Sequence, residues 1–308
     1  MEAMKQKILF FGNERIATGV STTAPILEAL IAAGYEIPAI VVAQNEASSS
    51  RKQRPLEVTE VAAQHNIQVI IADPSDAFKE LIASFQAEAA VLVAFGKIVS
   101  QDIIDIFPKG IINIHPSLLP RHRGSIPIES VIVYGEKETG VSLMQLAVEM
   151  DAGPVYAQET VLLRGDETKQ GLADQLSQLG GHLLLTFLPA ILAGSAEATP
   201  QQEDEATYDK RLTKDDGVLD FTKPAEALAR EVRAFAGWPR SRATIGTTEI
   251  IITQSHHQTG NGAPGTLWLD GKQIGLYGSE GILVIDRLIP SGKKEMTAEA
   301  FLAGYNPA

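Results

Sequence analysis

The sequence predicts an α/β protein, with a doubly wound, mostly parallel sheet followed by a small β-barrel. Three observations carry this. Up to residue 194, short apolar runs alternate with helical patterns, which is how βαβ units with parallel pairing read. One of these runs, Ile111-Ile112-Asn113-Ile114-His115, is rich in β-branched residues, as a strand covered on both faces should be. Beyond residue 215 the pattern becomes several short strands with frequent Gly, the look of a small barrel.

Lys7–Phe11 reads as the first strand, followed by a loop through Gly12 and Gly19. Ala24–Ala33 is a helix pattern closed by Gly34, and Ile37–Val42 is the second strand. The polar loop 44–54 holds Arg51, Lys52 and Arg54. Pro55 opens the next helix, because its fixed φ and missing N–H suit a first helical position. Ile67–Ile71, a helix over Ser75–Phe85 and the strand Ala89–Phe95 continue the alternation. The run at Ile111 supplies the next strand and stops at Pro116, which has no amide hydrogen for a ladder bond.

After Pro120 a helix runs to about Tyr134. Two further strands, Val141–Val148 and Val155–Leu163, flank the segment from Glu149 to Pro154, and Thr168–Ala193 is a long helix pattern. The polar, acidic segment 195–214 reads as a linker, so the expected division is 1–194, 195–214 and 215–308. The last part starts with a helix, Pro224–Ala236. Strands follow around Ala243, Ile250–Thr253, Gly265–Leu269, Gln273–Tyr277 and Ile282–Leu288.

A hydrophobic content of 44% with 21% charged residues suits an ordinary globular chain and excludes a disordered one. With no Cys, disulfides and thiolate chemistry are excluded. The first residues lack a cleavage pattern and no apolar run approaches bilayer length, so a cytoplasmic protein without membrane contact is expected. The net charge is −12, but residues 206–308 hold 12 Lys and Arg against 12 Asp and Glu. The whole acidic excess therefore lies upstream, and a nucleic-acid partner would meet local basic patches.

Asn113 and His115 are two apart on a strand and so share a face. They sit at the carboxyl edge of the sheet, where open α/β folds bind ligands. Asp151, in a loop bounded by Gly153 and Pro154, is the carboxylate that would fix the tautomer of His115 and raise its basicity if the fold brings them together. Asn113 can donate to a developing oxyanion. With neither Cys nor a G-x-S-x-G elbow, the set suits acyl transfer without a covalent intermediate. Ser117-Leu118-Leu119-Pro120 suits the wall of a slot for a flat ligand. Arg121 and Arg123 are either solvated charges or contacts to an anionic substrate. The turn after the first strand, Gly12-Asn13-Glu14, is not a dinucleotide fingerprint and reads as structural. His256 and His257 point to opposite faces of a strand, and no metal is expected.

The run Asn113-Ile114-His115-Pro116-Ser117-Leu118-Leu119-Pro120-Arg121-His122-Arg123-Gly124, with Met150-Asp151-Ala152-Gly153-Pro154, resembles the site of the 10-formyltetrahydrofolate-dependent formyltransferases. Thr207–Leu212, Gly217–Phe221, Arg233–Pro239, Ala263–Thr266 and Pro290–Met296 resemble the C-terminal domain of the methionyl-tRNA branch of that family. The resemblance implies a Rossmann-like catalytic domain and an OB-like barrel that helps hold initiator methionyl-tRNA. It makes 10-formyltetrahydrofolate the co-substrate and the chain a monomer. Asn113, His115 and Asp151 take the catalytic roles. Phe95, Gly96, Ile98 and Val99, with Ser117, Leu118, Leu119, Pro120 and Gly153, take the donor, and Arg51, Lys52 and Arg54 take the tRNA acceptor stem. A formyltransferase for a nucleotide-sugar amine or for glycinamide ribonucleotide stays open as the alternative, as does a folate- or RNA-binding module without turnover.

Overall fold

The computed structural model describes residues 6–43 and 56–305. Arg51, Lys52, Arg54 and Pro55 lie outside the described residues. The chain divides into two compact units, one of Met1–Pro127, Thr139–Val161 and Leu172–Asp209, the other of Ile128–Glu138, Leu162–Gly171 and Lys210–Ala308.

β1 (Ile8–Gly12), β2 (Ala39–Val42), β3 (Gln68–Ile71), β4 (Ala89–Val93) and β5 (Ile111–His115) form the parallel part of a seven-stranded sheet. They are linked by α1 (Pro25–Ala32), α2 (Glu57–His65), α3 (Asp76–Ser84) and the short α4 (Gln101–Ile104). β1, β4 and β5 are buried at every position, because helical crossovers cover both faces of a parallel sheet. Phe11 anchors one face, edge-on to Phe95 and Phe107 at 5.5 and 6.0 Å between ring centroids. Such pairs add roughly 0.5–1.5 kcal/mol beyond burial.

After β5 come β6 (Arg123–Gly124), α5 (Pro127–Tyr134), β7 (Glu138–Gln145), β8 (Val155–Leu162) and α6 (Lys169–Ala193). The sheet order is β3-β2-β1-β4-β5-β7-β8, with β7 antiparallel to β5. β7 ends three residues before the expected Val148. The Leu146 amide still donates to the Ile111 carbonyl, and Leu146, Ala147 and Val148 line a cavity.

At 25 residues α6 is long and apolar enough to cross a membrane, contrary to the expectation that no run approached that length. Its apolar residues are used as core. Leu172, Leu176, Leu184 and Leu188 are buried, and a Cβ at Gly180 would meet Ile114 at 2.8 Å.

Within the segment expected as a linker, residues 199–209 are bonded into the first unit. Thr199 bridges Val155, and β9 (Tyr208–Asp209) pairs parallel with β6. Further on, α7 (Ala225–Ala234) precedes β10 (Ser241–Ile245), β11 (Thr248–Gln258), β12 (Leu267–Asp270), β13 (Gln273–Tyr277), β14 (Ile282–Pro290), β15 (Met296–Thr297) and α8 (Ala298–Gly304). These strands make a six-stranded antiparallel sheet in the order β10-β11-β14-β13-β12, with β15 on β14. Register shifts around Gln254 bend the long β11. Leu228, Ala229 and Val232 of α7 share a core with Ile250, Ile252 and Ile285.

Candidate active site

The strand order reverses at β1 and β4, since β2 and β3 lie to one side and β5 to the other. Such a switch point leaves a crevice at the carboxyl ends of the strands. A cavity of about 540 Å³ opens there, within the first unit. Gly12 makes the crevice possible, since it has φ 124° and a Cβ on it would stand 1.8 Å from the Val93 carbonyl oxygen. The turn then folds over β4, and the amides of Asn13 and Glu14 both donate to that oxygen, at 3.2 and 3.3 Å.

Glu14 is buried and left-handed (φ 56°). Its two carboxylate oxygens accept from the amides of Ile26 and Leu27, at 2.9 and 2.7 Å. The accounting at the start of α1 is complete. Pro25 has no N–H, Ile26 and Leu27 donate to Glu14, and Glu28 donates to the Ala24 carbonyl. Burial pushes the Glu14 carboxyl up to about 7, while the two amides pull the other way. Arg15 lines the cavity and is held by Glu57 at 2.7 Å.

Asn113, His115 and Asp151 all line the same cavity. Nε2 of His115 lies 2.8 Å from the His122 carbonyl oxygen. A carbonyl only accepts, so Nε2 carries the hydrogen and Nδ1 is the basic atom of the neutral ring. Nδ1 stands 3.8 Å from Oδ1 of Asp151. The other oxygen of Asp151 accepts from the Gly124 amide at 2.8 Å. Gln201 donates from Nε2 to the carbonyls of Asp151 and Gly153, at 2.8 and 2.7 Å, and so fixes the Asp151 loop from behind. Four non-Gly residues at or beside this site are left-handed, namely Glu14, Ala94, His122 and Asp151. Local backbone strain of this kind collects at functional sites.

Loop 117–120 is framework. Ser117 is fully buried and donates to the Arg121 carbonyl, while Ser142 donates to the Ser117 carbonyl and accepts from the Leu119 amide. Ser117, Leu118, Leu119 and Pro120, expected to take the donor, stand behind the cavity wall rather than on it. Their polar groups bond to His115, Arg121 and Thr207, to Ser142 of β7 and to Gln158 of β8. Gly153 is also off the wall. Its role is close packing, because a Cβ there would meet the Gln145 carbonyl oxygen at 1.9 Å.

Arg123 is neither solvated nor turned to a ligand. Its fully buried guanidinium pairs with both oxygens of Glu203 at 2.9 Å, bonds Gln201 and Tyr208, and lies over the Tyr208 ring. Arg121 is exposed.

The model of the formyl transferase family matches residues 7–188, and that of the formyl transferase C-terminal domain matches residues 211–306. The chain belongs to the formyl transferase family. Among formyl transferases it is 36% identical to a methionyl-tRNA formyltransferase of Halorhodospira halophila over 307 residues, covering 98% of this chain and 97% of that one. It is 34% identical to another of that name from Enterococcus faecalis, covering 97% and 96%. In fold it resembles a solved sugar 3N-formyl transferase, crystallised in the presence of dTDP and 5-N-formyl-THF. The TM-score is 0.68 at 16% identity, with 95% of this chain and all of that one covered.

Of the residues singled out in the sequence of this formyl transferase, Phe95, Gly96, Ile98 and Val99 line the cavity beside Asn113, His115 and Asp151. Sequence reasoning missed Asn13, Arg15 and the exit of β7 on the same wall, and the holding roles of His122, Gly124 and Gln201. Position gave one usable signal, since Asn13 and Arg15 follow the first strand at the sheet edge where ligands bind. The backbone roles carry no side-chain signature.

Proposed function

We propose that this chain transfers the formyl group of 10-formyltetrahydrofolate to the α-amine of methionyl initiator tRNA. The observation that carries the reading is the convergence of Asn113, His115 and Asp151 on one cavity at the switch point. Relatives that match nearly the full length and bear the methionyl-tRNA formyltransferase name support the acceptor.

The cavity suits a flat, partly apolar donor. Phe95, Ile98, Val99 and Val148 would hold it, and Ile98 is 83% exposed and ready to be covered. When the methionyl amine attacks the formyl carbon, the Asn113 amide donates to the oxyanion that develops. Nδ1 of His115 takes the proton the amine loses, and the Asp151 carboxylate stabilises the imidazolium so formed. The leaving amine of the donor recovers a proton from the same ring.

Arg51, Lys52 and Arg54 would contact acceptor-stem phosphates, where charge gives affinity that falls with salt. In this reading residues 1–194 are catalytic, 215–308 bind tRNA, and the chain works as a monomer in the cytoplasm where initiator tRNA is charged.

The test is incubation of charged initiator tRNA with the donor, followed by mass-spectrometric detection of formyl-methionine. A nucleotide-sugar amine and glycinamide ribonucleotide serve as competing acceptors. Formylation of either small amine in preference to the tRNA would refute the proposal.

A further inference from the structure

The hydrogen bond that sets the tautomer of His115 comes from a backbone carbonyl, and that carbonyl belongs to a residue with an unusual conformation. His122 has φ 60°, where side chains with a Cβ rarely sit. Contacts to segment 207–209 hold it there. Its amide donates to the Thr207 hydroxyl at 2.8 Å. The amide of the next residue, Arg123, donates to the Thr207 carbonyl at 2.8 Å. Its own ring faces the Asp209 carboxylate, with Nδ1 at 3.1 and 3.3 Å from the two oxygens. Both side chains of this second His–Asp pair are buried, at 7% and 5% exposed, and neither lines the cavity. Two residues on from His122, the Gly124 amide holds Asp151. One short stretch thus presents one backbone group to each member of the catalytic pair.

We propose that His122 and Asp209 are positioning residues, which lock residue 122 so that its carbonyl keeps His115 in the Nε2–H form with Nδ1 open toward Asp151. The carboxylate only accepts, so Nδ1 of His122 carries a hydrogen. What the arrangement requires of position 209 is an acceptor at this distance. Asn supplies one, and Leu, of similar size, does not. Loss of the acceptor frees the His122 ring and with it the carbonyl. The His115 ring then samples both tautomers, and only one of them presents a base to the amine.

The proposal rests on the catalytic reading of His115 and Asp151, so the experiment separates the two. The full-length chain is prepared as wild type, Asp209→Leu, Asp209→Asn and Thr207→Val. Thr207 is exposed, so its replacement keeps the test open if Asp209→Leu does not fold. Steady-state rates are measured with charged initiator tRNA and 10-formyltetrahydrofolate, and the ring nitrogens of His115 are followed by ¹⁵N NMR.

For Asp209→Leu the expected result is a kcat lower by about 10- to 100-fold, the magnitude seen when outer-shell partners of metal-bound histidines are removed. KM for both substrates should stay within about 3-fold, and His115 should change from a single Nε2–H form to a mixture. Asp209→Asn should recover most of kcat and the single form. Thr207→Val should shift both readouts in the direction of Asp209→Leu by a smaller amount. A single Nε2–H form in Asp209→Leu and Thr207→Val would overturn the proposal, whatever their rates. So would a rise in KM with kcat unchanged, or an Asp209→Asn variant no better than Asp209→Leu. If the wild type forms no formyl-methionine, the functional reading fails, while the NMR arm still decides the positioning claim.

Discussion

Nδ1 of His115 and Oδ1 of Asp151 stand 3.8 Å apart, and each side chain is held on its far side by a backbone group of the stretch 122–124. This is longer than a hydrogen bond, and in the proposed reaction it would shorten when Nδ1 gains a proton. Asp151→Asn keeps the bond from Gly124 but cannot stabilise the imidazolium as a charge. Its kcat should fall by roughly 10²–10⁴ with thermal stability little changed, which steady-state kinetics and a melting curve will show. Asn113→Ala should lose roughly 10²–10³ in kcat, the usual effect of removing an oxyanion donor.

Glu14 predicts a pH dependence of stability. Its carboxyl titrates near 7 in the folded chain against an ordinary 4.5. Between these values the folded state holds a proton that the unfolded state has released, so stability falls as pH rises through this window and is level above it. The full span corresponds to roughly 3 kcal/mol. Glu14→Gln should flatten the fall between pH 4.5 and 7, as urea unfolding at a series of pH values will measure. An unchanged slope would show that the carboxyl does not titrate there.

Gly153→Ala should impair both folding and rate. The added Cβ would overlap the Gln145 carbonyl oxygen, and backbone on both sides must move to admit it. Overpacking of this kind costs roughly 1–3 kcal/mol. Because Gln201 ties the Gly153 carbonyl to that of Asp151, the shift should reach the carboxylate. A lower urea midpoint with a kcat reduced at least about 10-fold is expected, since misplacing a reacting group by about 1 Å costs on the order of 10² in rate.

Arg123 and Glu203 form one ion pair with unequal ends. The guanidinium is fully buried, whereas the carboxylate is 71% exposed. Glu203→Gln should therefore leave the unfolding midpoint nearly unchanged, as for an exposed pair. Arg123→Ala opens a cavity and strips bonds from Gln201 and Tyr208, and should cost roughly 2–5 kcal/mol. Chemical unfolding of the two variants side by side checks the asymmetry.

The parallel sheet was legible because its strands are apolar on both faces and its helices are amphipathic, so periodicity separates them. The trio was legible because Asn113 and His115 are polar residues within an apolar strand and Asp151 lies in a Gly-bounded loop. The framework role of Ser117–Pro120 was not. Two leucines in a turn look alike whether they face a ligand or a core, and only the bonds through Ser142 and Gln158 decide. The role of segment 199–209 was also hidden. A polar, acidic composition suits a solvated tether, and its contacts to the rest of the unit join residues 44–87 positions apart, beyond the reach of any local pattern.

The Glu14 carboxylate sits where many mononucleotide-binding α/β proteins seat a phosphate, on the free amides at the head of the first helix. Here the anion is tethered to the chain twelve residues away from the amide it serves. A nucleotide phosphate arriving from solution would have to displace a group that never leaves. The amides at the head of α1 are thereby closed to a phosphate from solution.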